Sequence, residues 1–104
     1  MEVQKCYYAS FNVGAFEVWG TELYRDKNSV ITEMENSLED ILEAIGNFSL
    51  LDETEIVGFL TRALVELKET GFFRENDNQF DFFILEQPIW ENYEQKKKIE
   101  NGIN

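Results

Sequence analysis

Val30, Ile31, Met34, Leu38, Ile41, Leu42 and Ile45 recur at three- and four-residue spacings, and this run constrains the fold more than any other feature of the chain. At about 100° per residue, these side chains fall within roughly a third of the helical circle. Ser29 suits the N-cap and Gly46-Asn47 the C-terminal stop, which predicts one helix over 29–46. A competing reading makes Val30–Glu35 a strand and starts the helix at Ser37, where Ser37-x-x-Asp40 has the spacing of a capping box. The single helix is preferred because it uses every apolar position.

The flanking segments switch period. Tyr7, Ala9, Phe11 and Val13 alternate with smaller or more polar residues within 2–13, the pattern of a strand. Gly14-Ala15 predicts a hairpin turn into a second strand from Phe16 to Tyr24, interrupted at Gly20 by a bulge or a close backbone approach. A turn follows at 25–28. Asp52, with Glu55 three residues on, opens a helix whose apolar face is Ile56, Val57, Leu60, Ala63, Leu64 and Leu67 and which stops at Gly71. Gly58 lies inside it and costs about 1 kcal/mol relative to Ala, so close packing is expected there. Phe72-Phe73-Arg74 reads as a short strand and 75–78 as a turn. The nearly continuous apolar run Phe80–Leu85 reads as a central strand buried on both faces. Pro88 suits the first turn of a C-terminal helix containing Ile89, Trp90 and Tyr93, with Lys96–Lys98 near its end. The tail Glu100–Asn104 is expected to fray. Residues 1–104 therefore form a single α+β domain, a small and mainly antiparallel sheet packed against two or three helices. At 104 residues, 43% hydrophobic and 14% aromatic, the chain is long and apolar enough for a core without disulfides.

Several chemistries are excluded. The chain has no histidine, so Ser-His-Asp and Cys-His sites and the usual zinc sites cannot be built. It has no glycine-rich phosphate loop. Asp77-x-Gln79-x-Asp81 alternates oxygen ligands, but Phe82 stands where a calcium loop needs glycine, and a solvated turn is the better reading. Chance carboxylate pairs are unavoidable among 21 acids and point to no reaction. The chain is expected to be non-catalytic, with no cofactor and no metal. Cys6 alone forms no intrachain disulfide and suits a reducing compartment. Met1–Lys5 lacks the pattern of a signal peptide, and no stretch approaches the roughly 18–20 apolar residues of a membrane span. The expected location is cytoplasmic.

What remains is charge. Against 21 acids stand 9 Lys and Arg, a net charge of −12 that disfavours nucleic acid and anionic membranes and favours a basic partner. From Asn28 to Thr61 there is no Lys or Arg, while the same stretch holds Glu33, Glu35, Glu39, Asp40, Glu43, Asp52, Glu53 and Glu55. A solvated helix face ordinarily mixes signs, because Glu–Lys pairs four apart add support. These eight residues are therefore the candidate partner-binding face, with Trp19, Tyr24, Trp90 and Tyr93 as candidate aromatic anchors.

In size, acidity, lack of targeting signals and the acid-only run Glu33–Glu55, the chain resembles the immunity proteins of bacterial contact-dependent and polymorphic toxin systems. The resemblance covers the character of the whole chain and no single motif. It implies a small cytoplasmic protein that neutralises one cognate toxin domain, commonly a nuclease with a basic cleft. Two alternatives use other features. A phage-type nucleic-acid mimic would block a DNA-binding protein by spreading acids over a long surface. A small ligand-binding protein would hold a perturbed carboxylate in an apolar cavity under the aromatics.

Overall fold

The computed structural model describes residues 3–102. Its first strand, β1 (Gln4–Val13), turns through Gly14-Ala15 into β2 (Phe16–Gly20), forming the expected hairpin. Phe11 faces Trp19 and Asn12 faces Glu17, so Val18 is an extra residue on β2. The bulge lets Val18 and its neighbour Trp19 both pack on the core. Gly20 marks a close approach: a Cβ there would lie 2.8 Å from Glu17 Oε1 and 3.2 Å from the Ala9 carbonyl.

The second strand ends at Gly20, not at Tyr24. Thr21 replaces the ladder with its side chain: its hydroxyl accepts the Ala9 N–H at 2.8 Å, and its own N–H donates to the Ala9 carbonyl at 3.0 Å. Tyr24 then rejoins β1 by a single bridge to Tyr7.

The long apolar stripe is helical throughout, but it is two helices, α1 (Lys27–Asn36) and α2 (Leu38–Asn47). Asp26 caps α1 in place of the expected Ser29, accepting the Ser29 N–H at 2.8 Å. At Ser37 the ladder tightens, and its N–H donates three residues back to Met34 at 3.1 Å. Ser37 is the N-cap residue of α2, where the alternative reading started a helix, but its side chain makes no cap bond, and Val30–Glu35 is helix and not strand. Asn36-Ser37 is a weak helical pair, since both side chains compete for backbone partners. The break lets α1 pack on β1 while α2 packs on β2 and a third helix, α3 (Glu53–Thr70). Full burial of Val30, Met34 and Ile41 and near-complete burial of Ile45, each worth about 1.5–3 kcal/mol, outweighs the loss of a helical hydrogen bond worth about 1 kcal/mol.

Asp52 caps α3 as expected, accepting the Glu55 N–H at 2.8 Å. Gly71 ends it with φ at 78°, a left-handed conformation that side chains resist. Its carbonyl then accepts the Ile84 N–H at 2.8 Å, so the helix stop also positions the strands that follow. Gly58 departs from expectation: beyond its chain neighbours and its own helix backbone, no atom lies within 4 Å of where its Cβ would be. Gly58→Ala should therefore stabilise the protein by about 0.5–1 kcal/mol, through lower unfolded-state entropy and better helix propensity. Urea denaturation checks this, and a destabilised variant would mean the site has a hidden packing partner.

β3 (Phe72–Glu75) and β4 (Phe80–Ile89) complete a four-stranded antiparallel sheet in the order β2-β1-β4-β3. The domain is thus α+β, with α1, α2 and α3 on one face of the sheet. β4 is interior as expected, yet only one of its faces is covered. Phe80 and Phe82 are buried under the helices, while Phe83 is half-buried and Leu85 exposed on the other side.

Pro88 lies in β4 opposite Lys5, not in a helix. The Ile84 N–H points outward to Gly71, and strand alternation turns the nitrogen of Pro88 to the same side. β3 pairs with β4 only as far as Phe83, so no ladder bond is lost there. The C-terminal helix, α4 (Tyr93–Glu100), starts later than expected, capped by Asn92, and carries Lys97 and Lys98 in its last turn. Helical order reaches Glu100, which was expected to fray; residues 103–104 of that expected tail lie outside the described residues.

One core joins sheet and helices: Ala9, Phe11, Phe73, Phe80 and Phe82 against Val30, Met34, Ile41, Ile45, Ile56, Leu60, Ala63 and Leu67. Among the described residues no helix is long and apolar enough to cross a membrane.

Candidate functional site

The eight acids of the basic-free stretch are not equally free, because three of them are engaged within the protein. Glu33 is half-buried, and its Oε1 accepts from the Tyr24 hydroxyl at 2.6 Å and the Glu22 N–H at 3.3 Å. Glu35 meets Lys68 of α3 at 3.5 Å, so the field contains a cation that comes from outside the stretch. Asp52 is used as the cap of α3. Both sides of the Glu35–Lys68 pair are about half-exposed, and such pairs contribute little stability, but they do quench the local field.

Glu39, Asp40, Glu43, Glu53 and Glu55 remain exposed, with no hydrogen-bond or ion-pair partner among the described side chains. Three of them converge. Glu39 and Glu43 lie four residues apart on α2, and Glu53 opens α3. Together they rim an open cleft of ≈ 490 Å³ between the two helices. Leu42, Leu51 and Ile56 supply its apolar lining. Glu39 and Glu43 repel each other mildly at that spacing, and no cation relieves them. Asp40 and Glu55 lie outside the cleft lining.

The loop between α2 and α3 carries a second surface. Phe48 is 55% exposed and Leu50 107%, and Phe16 of the β1–β2 hairpin is 65% exposed. The Phe16 and Phe48 rings sit 6.3 Å apart and border a second hollow of ≈ 380 Å³. These apolar groups were not among the expected anchors. Of those, Trp19 packs edge-on against Phe11 at 5.5 Å, Tyr24 is half-buried against the core, and Trp90 is half-buried. Only Tyr93 is well exposed. The signal for the missed residues was their position. Phe48 and Leu50 are apolar residues in a short loop between a helix stop and a helix cap, and neither packs into the core.

The hydrogen bond to Glu33, aided by desolvation and the neighbouring negative charge, raises the Tyr24 hydroxyl above its ordinary pKa of 10.0. A group raised on folding contributes stability that is present below its unfolded pKa and is lost as pH rises through its folded value. Ultraviolet titration should show Tyr24 ionising above its ordinary pKa, and Glu33→Gln should bring it back toward 10.0. An unchanged titration in that variant would refute the pairing.

The Asp77-x-Gln79-x-Asp81 segment is occupied by turn contacts. Glu75 accepts the Asp77 N–H at 3.1 Å and the Asn78 N–H at 2.8 Å, and Asp81 approaches Arg74 at 3.4 Å. Burial pushes the Glu75 carboxyl up, but the hydrogen bonds from Asn78 and Asp77 and the charge of Arg62 outweigh it and hold it below its ordinary value. Among the described residues no group of three or more His, Cys, Asp or Glu could hold a metal ion. Cys6 is buried as a free thiol.

Comparison with protein families, curated proteins and solved structures finds no match to this chain.

Proposed function

We propose that this chain is an inhibitor of the immunity-protein kind, a cytoplasmic protein that binds a cognate basic toxin domain, a nuclease, and neutralises it by occupancy. The observation that carries this reading is the group of Glu39, Glu43 and Glu53, solvent-exposed and uncompensated around an apolar-lined cleft. A nuclease must attract phosphate, so its cleft is basic. An acidic inhibitor is drawn to that cleft by the same field, at rates up to about 10⁸–10⁹ M⁻¹s⁻¹ at low salt. Apolar contacts at the centre of such an interface then slow dissociation.

Co-expression tests the reading. The 3′ end of the adjacent upstream reading frame is expressed in cells with and without this protein, and growth is followed. The fragment alone should arrest growth and the pair should grow. A fragment that is harmless, or that kills in both settings, removes this reading.

A further inference from the structure

The chain leaves three large apolar side chains in solvent at the end that carries its uncompensated acids. Phe16 and Phe48 are more than half exposed, and Leu50 is as exposed as in an extended chain. None of the three belongs to the buried core. Single exposed apolar residues need no explanation, but a cluster bordering a hollow marks a contact surface.

Resting on the reading that this end is an interface, we propose that Phe16, Phe48 and Leu50 form its anchoring half and take a protein segment presenting an apolar side chain flanked by lysine or arginine. Charge complementarity selects that occupant. No lysine or arginine lines the hollow beside Phe16 and Phe48, nor the neighbouring cleft rimmed by Glu39, Glu43 and Glu53. Leu50 and Glu53 are three residues apart, so their Cα atoms are separated by at most about 11 Å. An apolar group seated on Leu50 therefore brings its basic neighbours to the carboxylates. A second copy of this chain would bring two acidic rims together, and an anionic membrane would be repelled by the net charge of −12.

The division of labour follows from range. Charges act over about 8–10 Å at ordinary salt and speed encounter, whereas apolar burial acts only in contact and sets how long the complex lasts. Leu50→Glu separates the two. It adds a negative charge at a fully exposed position, so the fold is kept. An interface held by charge alone would bind a basic segment more tightly in this variant, and an interface anchored at Leu50 must bind it less tightly.

The probe is a short amidated peptide alternating lysine and leucine, with two controls in which serine replaces leucine or glutamate replaces lysine. Amide chemical-shift mapping on the full chain gives both location and affinity. The lysine–leucine peptide should perturb Phe16, Phe48 and Leu50, and Leu50→Glu should weaken it about tenfold or more. Both control peptides should bind more weakly. Equal binding of the serine control, perturbations elsewhere, or tighter binding to Leu50→Glu overturns the proposal. So does a concentration-dependent dimer that Leu50→Glu abolishes, because the occupant is then a second copy. Failed growth rescue with intact peptide binding rejects the toxin reading alone, and rescue without peptide binding rejects the anchor alone.

Discussion

Phe82→Ala should remove a large part of the stability of this domain. Phe82 is fully buried in β4 and stacks on Phe11 at 4.6 Å and Phe80 at 5.5 Å, with Phe73 at 5.7 Å. These four rings join three strands of the sheet, and the helices cover the same face. Truncating a buried Phe costs about 3–5 kcal/mol, the lost transfer energy plus the cavity left behind. A domain of this size is stable by about 5–15 kcal/mol in total, so the variant should melt about 12–30 °C lower or fail to fold at 37 °C. Phe16→Ala is the matched control. The same residue type at an exposed position should change stability by no more than about 0.5 kcal/mol. Thermal denaturation of both variants decides the matter, and a Phe82→Ala loss under about 1 kcal/mol would mean that the rings are not packed as described.

The second large effect is on association. Replacing Glu39, Glu43 and Glu53 together by lysine moves the net charge from −12 to −6 and reverses the field at the cleft. Binding to the cognate toxin domain should slow by about a hundredfold or more, since steered encounter exceeds unsteered encounter by that margin at low salt. The variant's rate should also lose its dependence on ionic strength. The fold should be kept, since all three side chains are exposed and unpaired, at a cost of about 0.3–1 kcal/mol each for Glu39 and Glu53, which sit in the first turns of α2 and α3 where a cation opposes the helix dipole. Reversing Glu33 gives a different result, since its carboxylate accepts from the half-buried Tyr24 hydroxyl and the penalty falls on the native structure. Stopped-flow association rates at two salt concentrations separate the cases. An unchanged rate in the triple variant places the interface elsewhere.

Much of the fold was legible because local chemistry is strong. The alternation Tyr7–Val13, the Asp52 cap and the Gly71 stop appear as read, and the apolar run from Phe80 is the interior strand expected, though with one face covered and not two. Errors arose where tertiary contacts overrode a local pattern. The stripe from Val30 to Ile45 keeps its helical phase across Ser37, so periodicity could not reveal that the two halves pack on different partners. Pro88 reads as a strand breaker, and it is tolerated because β3 ends before reaching it.

The same split holds for the candidate site. Sequence alone determined that the protein is acidic, α+β in class, without histidine chemistry, and free of basic residues from Asn28 to Thr61. Composition and spacing are properties of the chain and survive any folding. Which acids remain free was decided only by the tertiary structure. It brought Lys68 to Glu35 and Tyr24 to Glu33, and it gathered Glu39, Glu43 and Glu53 around one cleft. It also left Phe16, Phe48 and Leu50 outside the core. Pairing and exposure depend on distances between residues far apart in the chain, and no local pattern encodes them.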